Sequence, residues 1–275
     1  MCCLFGIYDD KGNLTAAQKK RLVSALATAA EERGTDATGI AYNHAGHLTV
    51  YKRPWPAHLM RFRLPEDARC IMGHTRMTTQ GDEKHNYNNH PFSGVADVSF
   101  ALAHNGIIHN DLTLRKEKNL PRTKIETDSY VAVQLLEQQG NISFQSIRNA
   151  AESLRGTLTL TILDSRDELY IVKGNNPLTL YHFPRLGVYV YASTEQILKK
   201  GLKKGMSVKE CPFEIPLREG DILRISRSGH YTVETFDTRN LWDGRPHFLW
   251  PYADAAPDGE YIRDLKSVAP AYGYT

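Results

Sequence analysis

Three short stretches and one terminal residue of this chain carry side chains suited to acyl transfer. Cys2 supplies a thiol at the second position. Methionine aminopeptidase removes Met1 when a small residue follows, and the new terminus would then hold a thiol and a free α-amine on one residue. With an ordinary pKa of about 7.7–8.0, part of that amine is neutral near pH 7 and can accept a proton. Nucleophile and general base would share a residue. The alternative is a buried structural cysteine in a first strand, the commoner fate of a cysteine. Cys3, next along an extended chain, faces the other way and is expected in the core.

Acyl transfer also needs donors aimed at a tetrahedral oxyanion. His104-Asn105-Gly106 ends an apolar run. The glycine lets the chain turn and present its N–H, and Asn105 can add a side-chain amide. An ordinary Asn-Gly turn explains the same residues, and His104 alone reads as a satisfied buried histidine. Gly73-His74-Thr75-Arg76 ends a second run, where an arginine suits a carboxylate. Thr127-Asp128 opens an amphipathic stretch, where Asp128 would either favour the helix dipole or hold an ammonium group. Arg76 and Asp128 together supply the two charges that an α-amino acid zwitterion requires.

The elements that must position these residues follow from periodicity. Residues 2–8 read as a strand closed by a turn, and 16–30 as a helix capped by Thr15. Residues 38–42 and 47–52 form a hairpin, 68–74 and 98–104 further strands, and 78–95 a long polar loop of the kind usually functional or mobile. Helices are expected over 127–139, 144–154 and 194–204. Strands are expected over 157–163, 169–173, 178–182, 188–192, 221–226 and 231–236. Helices and strands come in blocks without strict βαβ alternation, which favours stacked antiparallel sheets with helices outside. Beyond about residue 237, Pro, Gly and aromatic residues dominate and periodicity fades.

With 275 residues, the chain is long enough to bury roughly three quarters of its unfolded surface, so neither disulfide nor metal is needed for folding. Hydrophobic content of 41% and charged content of 24% exclude disorder, collagen and coiled coil as whole-chain descriptions. Four cysteines make no disulfide framework at this size, and a reducing cytoplasm is the expected setting. No apolar run approaches the ~18 residues of a membrane span, and residues 2–8 lack the basic leader of a secretory signal. A net charge of +3 argues against a dedicated nucleic-acid binder. Lys199, Lys200, Lys203, Lys204 and Lys209 read first as a solvated face. No zinc-type histidine spacing is present, so no metal or other cofactor is expected.

The ordered set resembles class II glutamine amidotransferases, the N-terminal-nucleophile glutaminase domains of glucosamine-6-phosphate synthase and amidophosphoribosyltransferase. The matching stretches are Met1-Cys2, Arg33-Gly34-Thr35-Asp36-Ala37-Thr38-Gly39, residues 73–81, Asn89-His90-Pro91-Phe92, residues 104–108 and Glu126-Thr127-Asp128. The resemblance implies an α+β fold, a four-layer αββα sandwich of stacked, mainly antiparallel sheets. It implies that Cys2 attacks the side-chain amide of glutamine, giving a γ-glutamyl thioester, ammonia and then glutamate. Asn105 and Gly106 would form the oxyanion hole, Arg76 and Thr79 the α-carboxylate site, and Asp128 the α-ammonium site. Arg33 would buttress the N-terminus, with His74 and His104 in support.

The chain departs from the family pattern at Cys3-Leu4, where Gly-Ile is usual. It departs again at Met77 and Gln80, where glucosamine-6-phosphate synthase typically has Trp and His in the loop over glutamine. Residues 2–237 are expected to form the glutaminase domain, and 238–275 a tail too short for an acceptor domain. The expectation is a stand-alone glutaminase subunit passing ammonia to a separate synthase in trans. The alternatives are an N-terminal-cysteine amidase acting on a γ-glutamyl conjugate or other small amide, and a weakly catalytic glutamine-sensing subunit. Trp242, Phe248, Trp250, Tyr252 and Tyr261 would either dock a partner or pack back on the domain.

Overall fold

Cys3, Phe5 and Ile7 alternate with Leu4 and Tyr8, and all five are buried. A strand apolar on both faces belongs at the centre of a layered structure. The computed structural model describes residues 2–207 and 210–241. Lys209 and the tail aromatics named above lie outside the described residues.

The strands of the first half are β1 (Cys3–Asp9), β2 (Ala37–His44), β3 (His47–Arg53), β4 (Cys70–Arg76), β5 (Phe92–Val95), β6 (Ser99–His104) and β7 (Ile107–Ile108). Those of the second half are β8 (Gly156–Thr157), β9 (Leu160–Asp164), β10 (Leu169–Lys173), β11 (Thr179–Phe183), β12 (Val188–Ala192), β13 (Phe213–Ile215), β14 (Asp221–Ile225) and β15 (Tyr231–Thr235). The helices are α1 (Ala16–Ala30), α2 (Asp111–Glu117), α3 (Tyr130–Gln139), α4 (Phe144–Ser153) and α5 (Glu195–Gly205).

One sheet runs β13-β11-β12-β1-β4-β2-β3 and a second β15-β14-β10-β9-β6-β5, with β7 and β8 paired separately. Neighbouring strands are antiparallel throughout both large sheets. The apolar side chains sort into three layers. Cys3, Phe5 and Ile7 face Leu22 and Leu26 of α1 and Ile197 and Leu198 of α5. Leu4 and Tyr8 meet Ala101, Ala103, Leu163 and Ile171 between the sheets. Phe100, Leu102 and Ile162 meet Val131, Leu135 and Ile147 on the far side. Helix, sheet, sheet, helix is the expected αββα order, and Cys3 lies in the helix-side core.

Thr15 caps α1 in a reciprocal box with Gln18: its backbone amide donates to Gln18 Oε1 over 2.8 Å, and Gln18 N donates to Thr15 Oγ1 over 3.3 Å. Lys19 of α1 is buried, and its Nζ lies 3.3 Å from Asp9 Oδ2 and 2.8 Å from the Glu66 carbonyl.

Several elements differ from the periodicity reading. The stretch 78–95 is no single loop, because Phe92 and Gly94 turn inward and pair β5 with β6. Its glycine and serine hide that alternation. β4 runs on to Arg76, and α3 begins at Tyr130, so Asp128 precedes the helix. α2 and β13 had no visible signal, being 7 and 3 residues long. Leu241 forms a parallel bridge with Gly156. Among the described residues no helix is long and apolar enough to cross a membrane.

Candidate active site

Register places the chemistry at one end of the sandwich. Cys3 pairs with Thr75 and Leu4 with His74, while Ala37 pairs with Arg76. The start of β1, the end of β4 and the start of β2 therefore lie side by side. Cys2 precedes β1, and its Sγ accepts from the Met77 amide over 3.4 Å and lies 3.5 Å from the Met77 carbonyl. Arg33 Nε donates to the Cys2 carbonyl over 2.9 Å, anchoring the terminus. Burial pushes the Cys2 thiol pKa up, more than the Met77 amide and the Arg76 charge pull it down. A thiol held protonated needs a base at the moment of attack. Cys3, next to Cys2, is buried in the α1-side core.

The Arg33–Asp36 stretch has a local job besides the Cys2 carbonyl. Gly34 packs on the Arg76 backbone so closely that a Cβ would sit 2.5 Å from its carbonyl carbon. The Asp36 amide donates to the Arg76 carbonyl over 3.0 Å, and Asp36 Oδ2 accepts from Thr78 N over 2.7 Å. The loop after β4 is thus fixed from the end of α1.

Asn105 continues the β6–β9 ladder, exchanging backbone hydrogen bonds of 2.9 and 3.0 Å with Thr159. Its side-chain Nδ2 lies 3.4 Å from Ser193 Oγ, and that hydroxyl accepts from Leu4 N over 2.9 Å. The amide is therefore tied to β1 two residues from Cys2. Asn176 Nδ2 holds the Asn105 carbonyl over 2.8 Å. Gly106 sits at φ +152°, and a Cβ there would lie 2.0 Å from the Thr157 carbonyl oxygen. Only glycine fits, and the requirement is steric as well as conformational.

His104 is buried between Ser129 Oγ, 2.8 Å from Nδ1, and the Thr157 carbonyl, 3.1 Å from Nε2. His74 Nε2 donates to the His104 carbonyl over 3.0 Å. Burial drives the His74 pKa down to about 3 and lowers that of His104, which Asp128 partly offsets. Both rings are therefore neutral at pH 7. The buried His90 ring lies 4.3 Å from that of His74, centroid to centroid, tilted by 36°, and neither of its ring nitrogens has a hydrogen-bond partner.

Arg76 and Asp128 both act electrostatically on the Cys2 thiol, the cation pulling its pKa down and the anion pushing it up. Arg76 is buried, with Nη1 donating to Asn89 Oδ1 over 2.6 Å and Nη2 to the carbonyls of Gln80 and Gly81 over 2.5 and 2.9 Å. Both Nη2 hydrogens thus serve the loop, which leaves Nε, one Nη1 hydrogen and the positive charge for a ligand. Asp128 is buried too, with Oδ1 accepting from Ser129 N over 2.7 Å and Oδ2 from Ile108 N over 2.6 Å. Thr79 is exposed, whereas its neighbour Thr78 has a buried hydroxyl without a partner. Gln80 Nε2 donates to the Glu126 carbonyl over 2.9 Å.

Residue types alone did not single out Ser193, Asn176, Asn88 or Lys52. Each is an ordinary polar residue near an element end, and only the fold brings it to the site. Lys52 Nζ donates to the carbonyls of Asn89 and Pro91 over 2.5 and 2.9 Å, and burial lowers its pKa to about 8. The surface lysines include two in ion pairs, Lys199 with Glu195 at 2.7 Å and Lys200 with Glu32.

Comparison with known proteins gives three findings. A family model described as glutamine amidotransferase domain matches residues 74–200, which include Arg76, Asn105, Gly106 and Asp128. Proteins named glutamine--fructose-6-phosphate aminotransferase [isomerizing] are similar over most of the chain. The one from Bacillus cereus is 33% identical over 267 residues, 86% of this chain and 44% of its own length. The one from Listeria innocua is 29% identical over 242 residues, 82% of this chain and 39% of its own length. The chain thus spans less than half the length of these relatives. Among solved structures, glutamine phosphoribosylpyrophosphate amidotransferase from B. subtilis superposes with a TM-score of 0.68 at 20% identity. That match covers 87% of this chain and 50% of the other, and it shows the shared fold.

Proposed function

The chain carries a glutamine amidotransferase domain of class II, the N-terminal-nucleophile kind, and from that premise we propose that it hydrolyses glutamine to glutamate and ammonia. The observation that carries the reading is the convergence on the Cys2 thiol of a cation, Arg76, and an anion, Asp128, with the Asn105 amide tied to the strand that Cys2 begins. Glutamine has the matching parts: an α-carboxylate, an α-ammonium group and an amide to cleave.

In this mechanism Cys2 Sγ attacks the amide carbon, and its proton passes to the free α-amine of Cys2. The C–O π bond opens to an oxyanion, which the Asn105 side-chain amide and the Gly106 N–H stabilise. The α-amine returns the proton to the leaving nitrogen, ammonia departs, and a γ-glutamyl thioester remains. Water, deprotonated by the same amine, attacks the thioester, and glutamate leaves as Cys2 regains its proton. Removing one such oxyanion donor typically costs about 10²–10³ in turnover. Arg76 and Asp128 orient the substrate, Asp128 through the ammonium group and Arg76 through charge and its remaining N–H groups. Thr79, at the exposed edge of the loop, would join the carboxylate contact when the loop closes. His74, His104 and Arg33 hold the framework.

The finer reading is that ammonia is handed to a synthase acting in trans, in the cytoplasm. Support comes from relatives that are aminotransferases by name and from four cysteines that are all unpaired. Copurification of an ammonia-consuming synthase that raises glutamine turnover would bear this out; full activity with no such partner would oppose it. The hydrolytic reading itself is tested by intact-protein mass spectrometry with a diazo-ketone analogue of glutamine. Loss of Met1 and one adduct on Cys2 are expected. Retained Met1 in active protein would overturn the amine relay, and unlabelled processed protein would overturn the glutamine pocket.

A further inference from the structure

Asn88 is fully buried, and each polar group of its side chain is engaged across the loop that follows β4. Its Nδ2 donates to the Asp82 carbonyl over 3.1 Å and to Glu126 Oε2 over 2.8 Å. Its Oδ1 accepts from Glu126 N over 3.0 Å, and its backbone carbonyl accepts from Thr127 Oγ1 over 2.9 Å. On one side this reaches Arg76: the Gly81 carbonyl accepts from the guanidinium over 2.9 Å, and a Cβ on Gly81 would lie 3.1 Å from Asn88 Nδ2. On the other side it reaches Asp128, the residue after Thr127. A continuous run of hydrogen bonds and close packing therefore joins the cation to the anion through Asn88.

We propose that Asn88 is a positioning residue that sets the separation between Arg76 and Asp128, and so makes the site prefer ligands charged at both ends. The inference rests on the assignment of those two residues to the α-carboxylate and α-ammonium groups. A zwitterion of fixed length gains from both charges only when they stand at its own spacing, and losing one charge-assisted contact costs roughly 10- to 100-fold in affinity. A ligand with one charged end docks on one residue and is indifferent to the distance to the other.

The test is calorimetric titration in a Cys2→Ala background, where ligands bind without turnover. Three ligands are compared: glutamine, glutaramate (which lacks the amino group) and 4-aminobutanamide (which lacks the carboxylate). Asn88→Asp keeps the side-chain volume and the acceptor for Glu126 N, yet sets a carboxylate against Glu126 Oε2. It is expected to weaken glutamine binding about 10- to 100-fold and the one-ended ligands less than about threefold. Adding Glu126→Gln supplies a donor to the new carboxylate and should recover part of the glutamine affinity, the Asp82 carbonyl still lying against that oxygen. Glu126→Ala, a change at an exposed side chain, tests the same link without burdening the buried position, and should produce a smaller loss confined to glutamine.

Equal losses for all three ligands, no loss for glutamine, or no recovery in the paired variant would overturn the role of Asn88. If the protein with Asn88 intact binds glutamine no better than the one-ended ligands, the assignment of Arg76 and Asp128 is what fails.

Discussion

The backbone amide of Ile108 donates to Asp128 Oδ2 across 2.6 Å. This ties the turn bearing Asn105 and Gly106 to the residue proposed to hold the substrate's ammonium group. With Ser129 N on the other oxygen at 2.7 Å, the Asp128 carboxylate is held by a backbone donor on each oxygen. The Asn105-Gly106 turn and the Asp128 carboxylate are thus held in one geometry by the protein's own hydrogen bonds, the kind of preorganisation that the proposed mechanism requires.

Cys2→Ala is expected to fold and to release no ammonia from glutamine. Ammonia release is read by a coupled glutamate dehydrogenase assay and folding by circular dichroism. Turnover at the unsubstituted rate would remove Cys2 as the nucleophile.

Asn105→Ala should lower kcat by roughly 10²–10³ with a smaller effect on KM, because its donor matters most once the oxyanion forms. Steady-state kinetics decide the matter. A normal kcat would take Asn105 out of the oxyanion site.

Gly106→Ala should destabilise the protein as well as inactivate it. The backbone stands at φ +152°, and the new Cβ would meet the Thr157 carbonyl at 2.0 Å. Backbone strain of this kind costs about 1–3 kcal/mol, and the clash adds to it. An unchanged thermal midpoint would contradict the geometry.

Lys19→Met removes the ammonium facing buried Asp9 at 3.3 Å. Asp9 keeps the amides of Asn13 and Leu14 at 2.9 and 3.0 Å but loses its counter-charge. Breaking a buried pair from one side typically costs about 3–5 kcal/mol. Urea denaturation measures the loss, and a variant as stable as the parent would show that the pair contributes little.

Stability should fall as pH drops below about 6.5, the ordinary histidine pKa. The unfolded chain takes up a proton on His74 there, whereas the folded protein does so only near pH 3. The unfolded state binds more protons in that window, so each such histidine removes up to about 1.4 kcal/mol per pH unit. His90 and His104 are shifted in the same direction. Urea midpoints from pH 7 to pH 4.5 should show the slope, and His74→Gln should reduce it. An identical slope in that variant would show that His74 titrates normally.

Much of the frame was legible in residue order. The 3.6-residue spacing in α1 and the two-sided apolar pattern of β1 are local, and Thr15 marks a helix start by chemistry alone. The polar stretch around residues 78–95 was harder. Its β5 strand is 4 residues long and pairs with β6, and its polar side chains are held by groups distant in sequence. Asn88 meeting Glu126, or Lys52 reaching Asn89 and Pro91, leaves no periodic trace. The same holds for Asp128, which an amphipathic pattern assigns to a helical turn. The helix begins at Tyr130, while Ile108 and Ser129 hold the carboxylate outside it.

Residue types and their order by themselves determined the available chemistry: a thiol near the terminus, an Asn-Gly turn, an arginine, an aspartate, and the layered fold that alternation demands. They determined that Cys3 faces away from its neighbour, because strand geometry admits no other result. Only the tertiary structure decided how the functional groups are divided between substrate and scaffold. Arg76 directs both Nη2 hydrogens to its own loop, Ser193 lies within hydrogen-bond distance of the Asn105 amide, and His74, His90 and His104 are buried. The physical reason is that hydrogen bonds and desolvation depend on separations in space, and residues 2, 76, 105, 128 and 193 become neighbours only when both sheets have formed.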